Sequence, residues 1–157
     1  MSWAKGSDTV EQLLNVGHLE RVLADPAEAQ YLLSKAQVHL ETADSLADDD
    51  PEIAYAALYS AARKALTAVL RQQGLRPTTK GGHEVVIQAA EAQLIPPLEQ
   101  ILRPFRQLKR TRGAGEYSAL QGALTGDDVR ADLPAARAIV EAARKVVPTM
   151  PVFNPAR

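Results

Sequence analysis

The sequence predicts an all-α fold, an antiparallel up-and-down helical bundle with an extra helix at its N-terminus. Three observations carry this. Alanine and leucine dominate a chain with only 4% aromatic residues, and alanine has the highest intrinsic helix propensity. Apolar residues recur three and four positions apart along most of the chain, which places them on one face of a helix. Helix-start signals with aspartate, proline or threonine separate these stretches, and the connections are short, as antiparallel neighbours require.

The 157 residues fit one domain and can bury a core without covalent staples. Residues 9–24 put Val10, Leu13, Leu14, Leu19, Val22 and Leu23 near helical spacing, weakened at Gly17. They make residues 1–25 a helical extension. Asp25-Pro26-Ala27-Glu28 starts the next helix: aspartate caps, proline fits the first turn, and Glu28 stands where a capping-box carboxylate reaches back. This helix runs to Ala47, with Leu32, Leu33, Ala36, Leu40, Ala43 and Leu46 as its apolar face.

Asp48, Asp49 and Asp50 before Pro51 repeat the device. They complement a positive helix start, and the further ligands of a metal loop do not follow. The helix over 51–73 is apolar on most of its circumference, with Ser60, Arg63, Lys64, Thr67 and Arg71 as a polar stripe. Such a helix is either the centre of the monomer or is covered by a partner. Gly74 ends it, and 75–82 read as a loop.

Residues 83–94 form a shorter helix with Val85, Val86, Ala89 and Ala90 inward. Pro96 and Pro97 separate it from a helix over 98–112, which Pro104 kinks and Gly113 and Gly115 end or loosen. The Thr125-Gly126-Asp127-Asp128 segment starts the last helix, whose face is Val129, Leu133, Ala136, Ile139, Val140, Ala143 and Val147. Pro134 kinks it or resets its start. The bundle spans 26–147, and 148–157, holding Pro148, Pro151 and Pro155, form a mobile tail.

The chain has no cysteine, 18 basic and 19 acidic residues, and a net charge of −1. Disulfides and thiolate metal sites are excluded. Nucleic-acid attraction must come from a local patch and not from the total charge. No apolar run is long enough for a membrane span, and no signal-peptide core opens the chain, so no membrane partner and a cytoplasmic location are expected. His18, His39 and His83 lack ligand spacing, so neither a metal nor another cofactor is implied. Ser60 and Ser118 have no base at triad spacing.

One segment is asymmetric in charge. Arg103, Arg106, Lys109, Arg110 and Arg112 fall together with no acid among them. At roughly 100° per residue, Leu98, Ile101, Leu102, Phe105 and Leu108 share one face, while Arg103, Arg106 and Arg110 form a stripe on another side. Arg112 joins the apolar face, one turn beyond Leu108. An arginine that extends a buried stripe must be paired, or must sit in a cleft or at a subunit seam. Tyr117 follows five positions later, and the intervening glycines let the backbone bend so that both approach one site. Glu116 either joins the phosphate-binding surface or pairs with Arg112. Gly113-Ala114-Gly115 is no dinucleotide fingerprint, because it follows a helix and lacks the third glycine.

Three features in order resemble the HEPN superfamily of small helical bundles. They are the segment YAALYSAARKAL at 55–66, Gly74-Leu75-Arg76-Pro77 leading through Gly81-Gly82-His83 into a helix, and an arginine-rich helix ending in arginine, four residues and tyrosine. The resemblance covers about residues 26–147. It implies the bundle, and a homodimer whose cleft holds two copies of a motif of arginine, a polar residue and a histidine four to six positions on. Active members are metal-independent endoribonucleases, often toxins or defence effectors. Carried over, Arg112 is the motif arginine, Gly113 stands at the polar position, and Tyr117 stands where the histidine would be.

Metal-free RNA cleavage needs a group to move the 2′-hydroxyl proton and a cation at the phosphorane. Arginine supplies the charge, but a tyrosine titrating near 10 is a poor base at neutral pH, unlike histidine. His83, opening its helix after two glycines, is the alternative base. The resemblance thus implies an RNA- or nucleotide-binding domain of a toxin–antitoxin or defence system with a degenerate RNase motif. Arg112, Tyr117 and His83 are its catalytic candidates. Arg103, Arg106, Lys109, Arg110 and Glu116 are its phosphate-binding candidates. The alternatives are an active endoribonuclease toxin and a non-catalytic protein that binds a partner, such as a nucleotidyltransferase-like protein.

Overall fold

The computed structural model describes residues 4–117 and 123–154, with 115–117 described by their backbone alone. Helix α1 (Ser7–Asn15) and a short strand β1 (Leu19–Arg21) precede the bundle. The long helices α2 (Pro26–Leu46) and α3 (Pro51–Gln72) follow, then β2 (Leu75–Pro77), α4 (Glu84–Leu94), α5 (Glu99–Leu102), α6 (Phe105–Tyr117) and α7 (Gly126–Val146). A single 3-10 turn, Val147–Thr149, closes the last helix. The fold is all-α, with one two-stranded ribbon.

The start signals act as their chemistry dictates. Asp25 accepts from the Glu28 backbone N–H at 2.9 Å, and Asp50 accepts from that of Ile53 at 3.2 Å. Thr125 and Asp128 form a reciprocal capping box at the start of α7. Helix α3 packs against α2, α4, α6 and α7. Tyr55, Leu58, Tyr59, Ala61, Ala62, Ala65, Leu66, Val69 and Leu70 are all buried within the monomer. Its apolar circumference is therefore explained by a central position, and a partner subunit is not needed to account for it.

Several boundaries differ from the sequence reading. The first helix stops at Asn15, because Gly17 at φ +77° turns the chain into the left-handed region. The next residues form β1, which pairs antiparallel with β2 in the register Leu19 with Pro77 and Arg21 with Leu75. Leu19 is buried while Leu23 is exposed. Residues 9–24, whose spacing predicts one amphipathic helix, thus contribute a helix and a strand, and the segment after Gly74, predicted as a loop, contains the partner strand. Gly74 itself, at φ +77°, lies where an added Cβ would sit 2.9 Å from the Val22 carbonyl.

Pro104 does more than kink its helix: it divides the segment into α5 and α6. The glycines do less than expected, and α6 stays helical through Gly113 and Gly115 to Tyr117. A glycine in a helix interior costs about 1 kcal/mol and need not end it. Helix α7 likewise passes Pro134 without resetting its start.

The C-terminal segment, expected to be loose, is docked through Phe153. Met150 and Phe153 are buried, the Phe153 N–H donates to the Gln73 carbonyl at 2.8 Å, and Arg21 lies over the Phe153 ring. Phe153 supplies the apolar contact that the three prolines concealed. Beneath it, the buried side-chain amides of Gln73 and Gln93 satisfy one another by reciprocal hydrogen bonds of 2.6 and 3.0 Å. Among the described residues no helix is long and apolar enough to cross a membrane.

Candidate functional site

The site is built on Tyr59, in the middle of α3. Its ring is fully buried and packs on Phe105, the first residue of α6, with centroids 5.5 Å apart. Leu102, Phe105 and Leu108 are buried along the seam of α5 and α6. One turn further on, Arg112 occupies the same face as the helical projection requires. Its guanidinium carbon lies 4.8 Å from the Tyr59 ring centroid, a cation–π arrangement. Its Nε is buried without a hydrogen-bond partner among the described residues.

The other end of Tyr59 holds His83. The Tyr59 hydroxyl and His83 Nδ1 are 3.1 Å apart, and the two rings are 5.9 Å apart between centroids. His83 is the residue before α4 and lends no side-chain cap to it. Burial pushes its pKa below the ordinary 6.5, and the positive charges of Arg63, Arg112 and Lys109 push it the same way. Burial raises the Tyr59 pKa, with Arg112 and Arg63 opposing. Both groups are therefore neutral at pH 7. A neutral His83 is available as a proton acceptor or as a single N–H donor, according to its tautomer.

Helix α3 contributes a second cation that the sequence reading left out of the site. Arg63 lies one turn after Tyr59 and, like Arg112, has a buried Nε with no partner among the described residues. It lines a cleft of about 430 Å³ together with Thr67, Thr78, Thr79, Gly82 and His83, walled by Pro77 and Val86. Tyr59, Arg63 and Thr67 are spaced four apart, so they share one face of α3. That spacing was visible in the sequence. The neighbour they face was not.

The remaining basic residues of the segment have different fates. Arg106 is bound to α4: its Nε and Nη2 reach Glu84 Oε1 at 2.9 and 2.8 Å, and its Nη1 reaches Glu91 at 2.8 Å. It does not belong to a free stripe with Arg103 and Arg110, because its carboxylate partners come from a neighbouring helix. Lys109 is 3.8 Å from Glu84, a looser pair. Arg103 and Arg110 are exposed and make no ion pair among the described residues. The side chains of Glu116 and Tyr117 lie outside the described residues, as does Ser118.

The structure thus brings together Arg112, His83, Arg63 and Tyr59, and sets Arg106 apart as a link between α6 and α4. The HEPN domain family, compared as a sequence model, matches residues 29–146. The chain belongs to the HEPN family. No match was found among the curated proteins or the solved structures compared with it. The matched span starts inside α2 and ends with α7, so it takes in every residue of this site. Helix α1 and strand β1 precede the HEPN span. Among the described residues no group of three or more His, Asp or Glu side chains is placed to hold a metal ion.

Proposed function

We propose that this HEPN protein is an RNA- or nucleotide-binding domain of a toxin–antitoxin or defence system, acting as a homodimer, with a degenerate RNase motif. The observation that carries the reading is Arg112. Its guanidinium is held on the Tyr59 ring, its Nε lacks an acceptor among the described residues, and no described carboxylate neutralises it. A buried donor without a partner costs about 1–3 kcal/mol, and a phosphate oxygen is an acceptor that would recover this. Arg103 and Arg110, exposed on the same segment, extend the cationic surface. The motif position after Arg112 is Gly113, and the histidine position is Tyr117, which is why cleavage is not the first reading. The homodimer rests on the family habit of pairing two motifs across one cleft.

A second reading, an active metal-independent endoribonuclease, is favoured by His83. It is neutral near pH 7, held through Nδ1 by Tyr59, and stands in the cationic field of Arg112, which suits a general base. Binding to single-stranded RNA across a salt series tests the first reading. Affinity should fall with salt and should drop about tenfold in Arg112→Ala. Absent or salt-independent binding overturns it. Expression in growing bacteria tests the second, with growth arrest relieved by His83→Gln as its expected result. A non-catalytic partner-binding role is the reading left if RNA is neither bound nor cleaved, and co-purification of a nucleotidyltransferase-like protein would then support it.

A further inference from the structure

The geometry points to a phosphate-binding site at the cleft between α3 and the loop before α4, distinct from the Arg112 position, with Arg63 as its cation and Thr79 and His83 as its hydrogen-bonding groups. Arg63, Thr67, Pro77, Thr79, Gly82 and His83 line it.

The polar groups of the cleft divide into those already committed and those still available. Thr78 is committed, since its hydroxyl donates to the Gly17 carbonyl at 2.5 Å and accepts from the Gly81 N–H at 3.3 Å. The Thr67 hydroxyl donates to the Arg63 carbonyl at 2.8 Å, which spends its proton. The Arg63 Nε has no acceptor, and the Thr79 hydroxyl makes no hydrogen bond among the described residues. His83 adds a donor if Tyr59 gives its proton to Nδ1, because a neutral imidazole then carries its own proton on Nε2. The Arg63 guanidinium and the Thr79 hydroxyl are the donors left over. The site therefore suits an anion and has little to offer a cation.

Charge accounting agrees. Glu84 is the acid beside His83, and its carboxylate is held by Arg106 and Lys109. The Arg63 charge has no such counterweight among the described residues. Burial lowers the proton affinity of both His83 and Lys64, and the Arg63 charge adds to it at each. The loop leaves room for a ligand, since Gly82 takes φ +63° and nothing lies within 4 Å of where its Cβ would be. The cleft volume of about 430 Å³ falls in the range of small-ligand sites, ~300–1,000 Å³. That exceeds what a bare phosphate fills and suits a nucleotide unit, with Pro77 and Val86 as apolar walls for its sugar and base.

The ligand is accordingly the phosphate group of a nucleotide, supplied either as free nucleotide or as part of an RNA strand. This assignment stands apart from the Arg112 reading: free nucleotide can bind here whether or not a strand binds at Arg112. Calorimetry on the full chain with inorganic phosphate, a nucleoside monophosphate and a short single-stranded ribo-oligonucleotide separates the sources. The nucleoside monophosphate should bind more tightly than inorganic phosphate. Its affinity should fall about tenfold in Arg63→Gln and stay near wild type in Arg137→Gln, an exposed arginine of α7. Amide shifts on titration should concentrate at Thr79, Gly82 and His83. Thr79→Val, at an exposed position, serves as the second variant should Arg63→Gln fail to fold, and should weaken binding severalfold. Tighter oligonucleotide binding that follows Arg63 assigns the strand as source, and the reverse assigns the free nucleotide. The site is overturned if none of the three probes binds, if Arg137→Gln weakens the mononucleotide as much as Arg63→Gln, or if the amide shifts fall elsewhere.

Discussion

Arg112→Met separates what Arg112 does for the fold from what it does for a ligand. In the folded chain the guanidinium gains a cation–π contact on Tyr59, worth about 0.5–2 kcal/mol. Against it stands the buried Nε without an acceptor among the described residues, a cost of about 1–3 kcal/mol. Methionine has similar reach, and its sulfur recovers about 0.3–1.5 kcal/mol on an aromatic ring without carrying a donor. The balance is neutral to stabilising by roughly 1 kcal/mol, which for a domain of this size is a Tm rise of ~2–4 °C. RNA affinity should move the other way. A charge-assisted phosphate bond of about 1.5–3 kcal/mol corresponds to a loss of roughly 10- to 100-fold. The slope of log affinity against log salt should shrink by about 0.7 for one single-strand contact. Thermal unfolding and fluorescence anisotropy on one preparation provide both readings. A Tm lowered by several degrees with RNA affinity intact would refute the reasoning and make Arg112 a structural residue.

The Tyr55 hydroxyl donates to Asp132 Oδ2 at 2.6 Å and ties α3 to α7. Tyr55→Phe should cost about 1.5 kcal/mol, a Tm fall of ~3–6 °C in thermal unfolding, since it removes a hydrogen bond to a charged group. Gln73→Leu alone leaves the buried Gln93 Oε1 without its donor, while Nε2 keeps the Ala89 carbonyl, and should cost about 1–3 kcal/mol in urea unfolding, whereas adding Gln93→Leu should recover much of that loss; additive losses would contradict the pairing. The fold should also lose stability in mild acid. Burial depresses the pKa of both His83 and His39 below 6.5. Arg63, Arg112 and Lys109 reinforce this at His83, and Lys64, Lys35 and Arg63 at His39. Below 6.5 the unfolded chain binds these protons more readily, so stability falls from there through the lowered pKa values and is unaffected above. Urea midpoints at pH 7.5 and 5.5 should show the drop, and replacing both histidines with glutamine should reduce it.

The elements the sequence revealed are those whose signal is local. Asp25, Asp50 and Thr125 cap helices with atoms three residues away, so their positions are written in the neighbouring letters. Gly74 at a helix end is of the same kind. The ribbon is not. Leu19–Arg21 becomes a strand because Leu75–Pro77 lies beside it, and an isolated three-residue segment has no periodicity by which to distinguish strand from helix. Phe153 was hidden for a related reason. Nearby prolines predict a non-helical backbone, which holds from Met150 to Asn154 but not at Pro148, inside the 3-10 turn, and they say nothing about whether an aromatic ring among them finds a hole at the end of α3.

The site divides along the same line. Arg112 could be singled out because a helical projection is local: an arginine in register with Leu108 and Phe105 must meet the core edge, and it meets Tyr59 there. Arg106 could not be judged in that way. Its two acids lie 22 and 15 positions earlier in the chain, so a segment without acids in sequence is, at Arg106, saturated with them in space. Arg63 is the converse. It sits in an unremarkable stripe of α3 among polar neighbours, yet the fold sets no described carboxylate against it and opens a cleft in front of it. A cation's availability is therefore decided by which acids the packing delivers, and here helix α4 decides it. Its Glu84 and Glu91 turn toward Arg106, and no carboxylate among the described residues is set against Arg63 or Arg112. Exchanging that arrangement, by removing Glu84 and Glu91 together, would free Arg106 as a third cation. If RNA binding rests on uncompensated charge, Glu84→Gln with Glu91→Gln should strengthen it and steepen its salt dependence. If affinity stayed unchanged in a folded variant, cation availability would not be what the surface is built for.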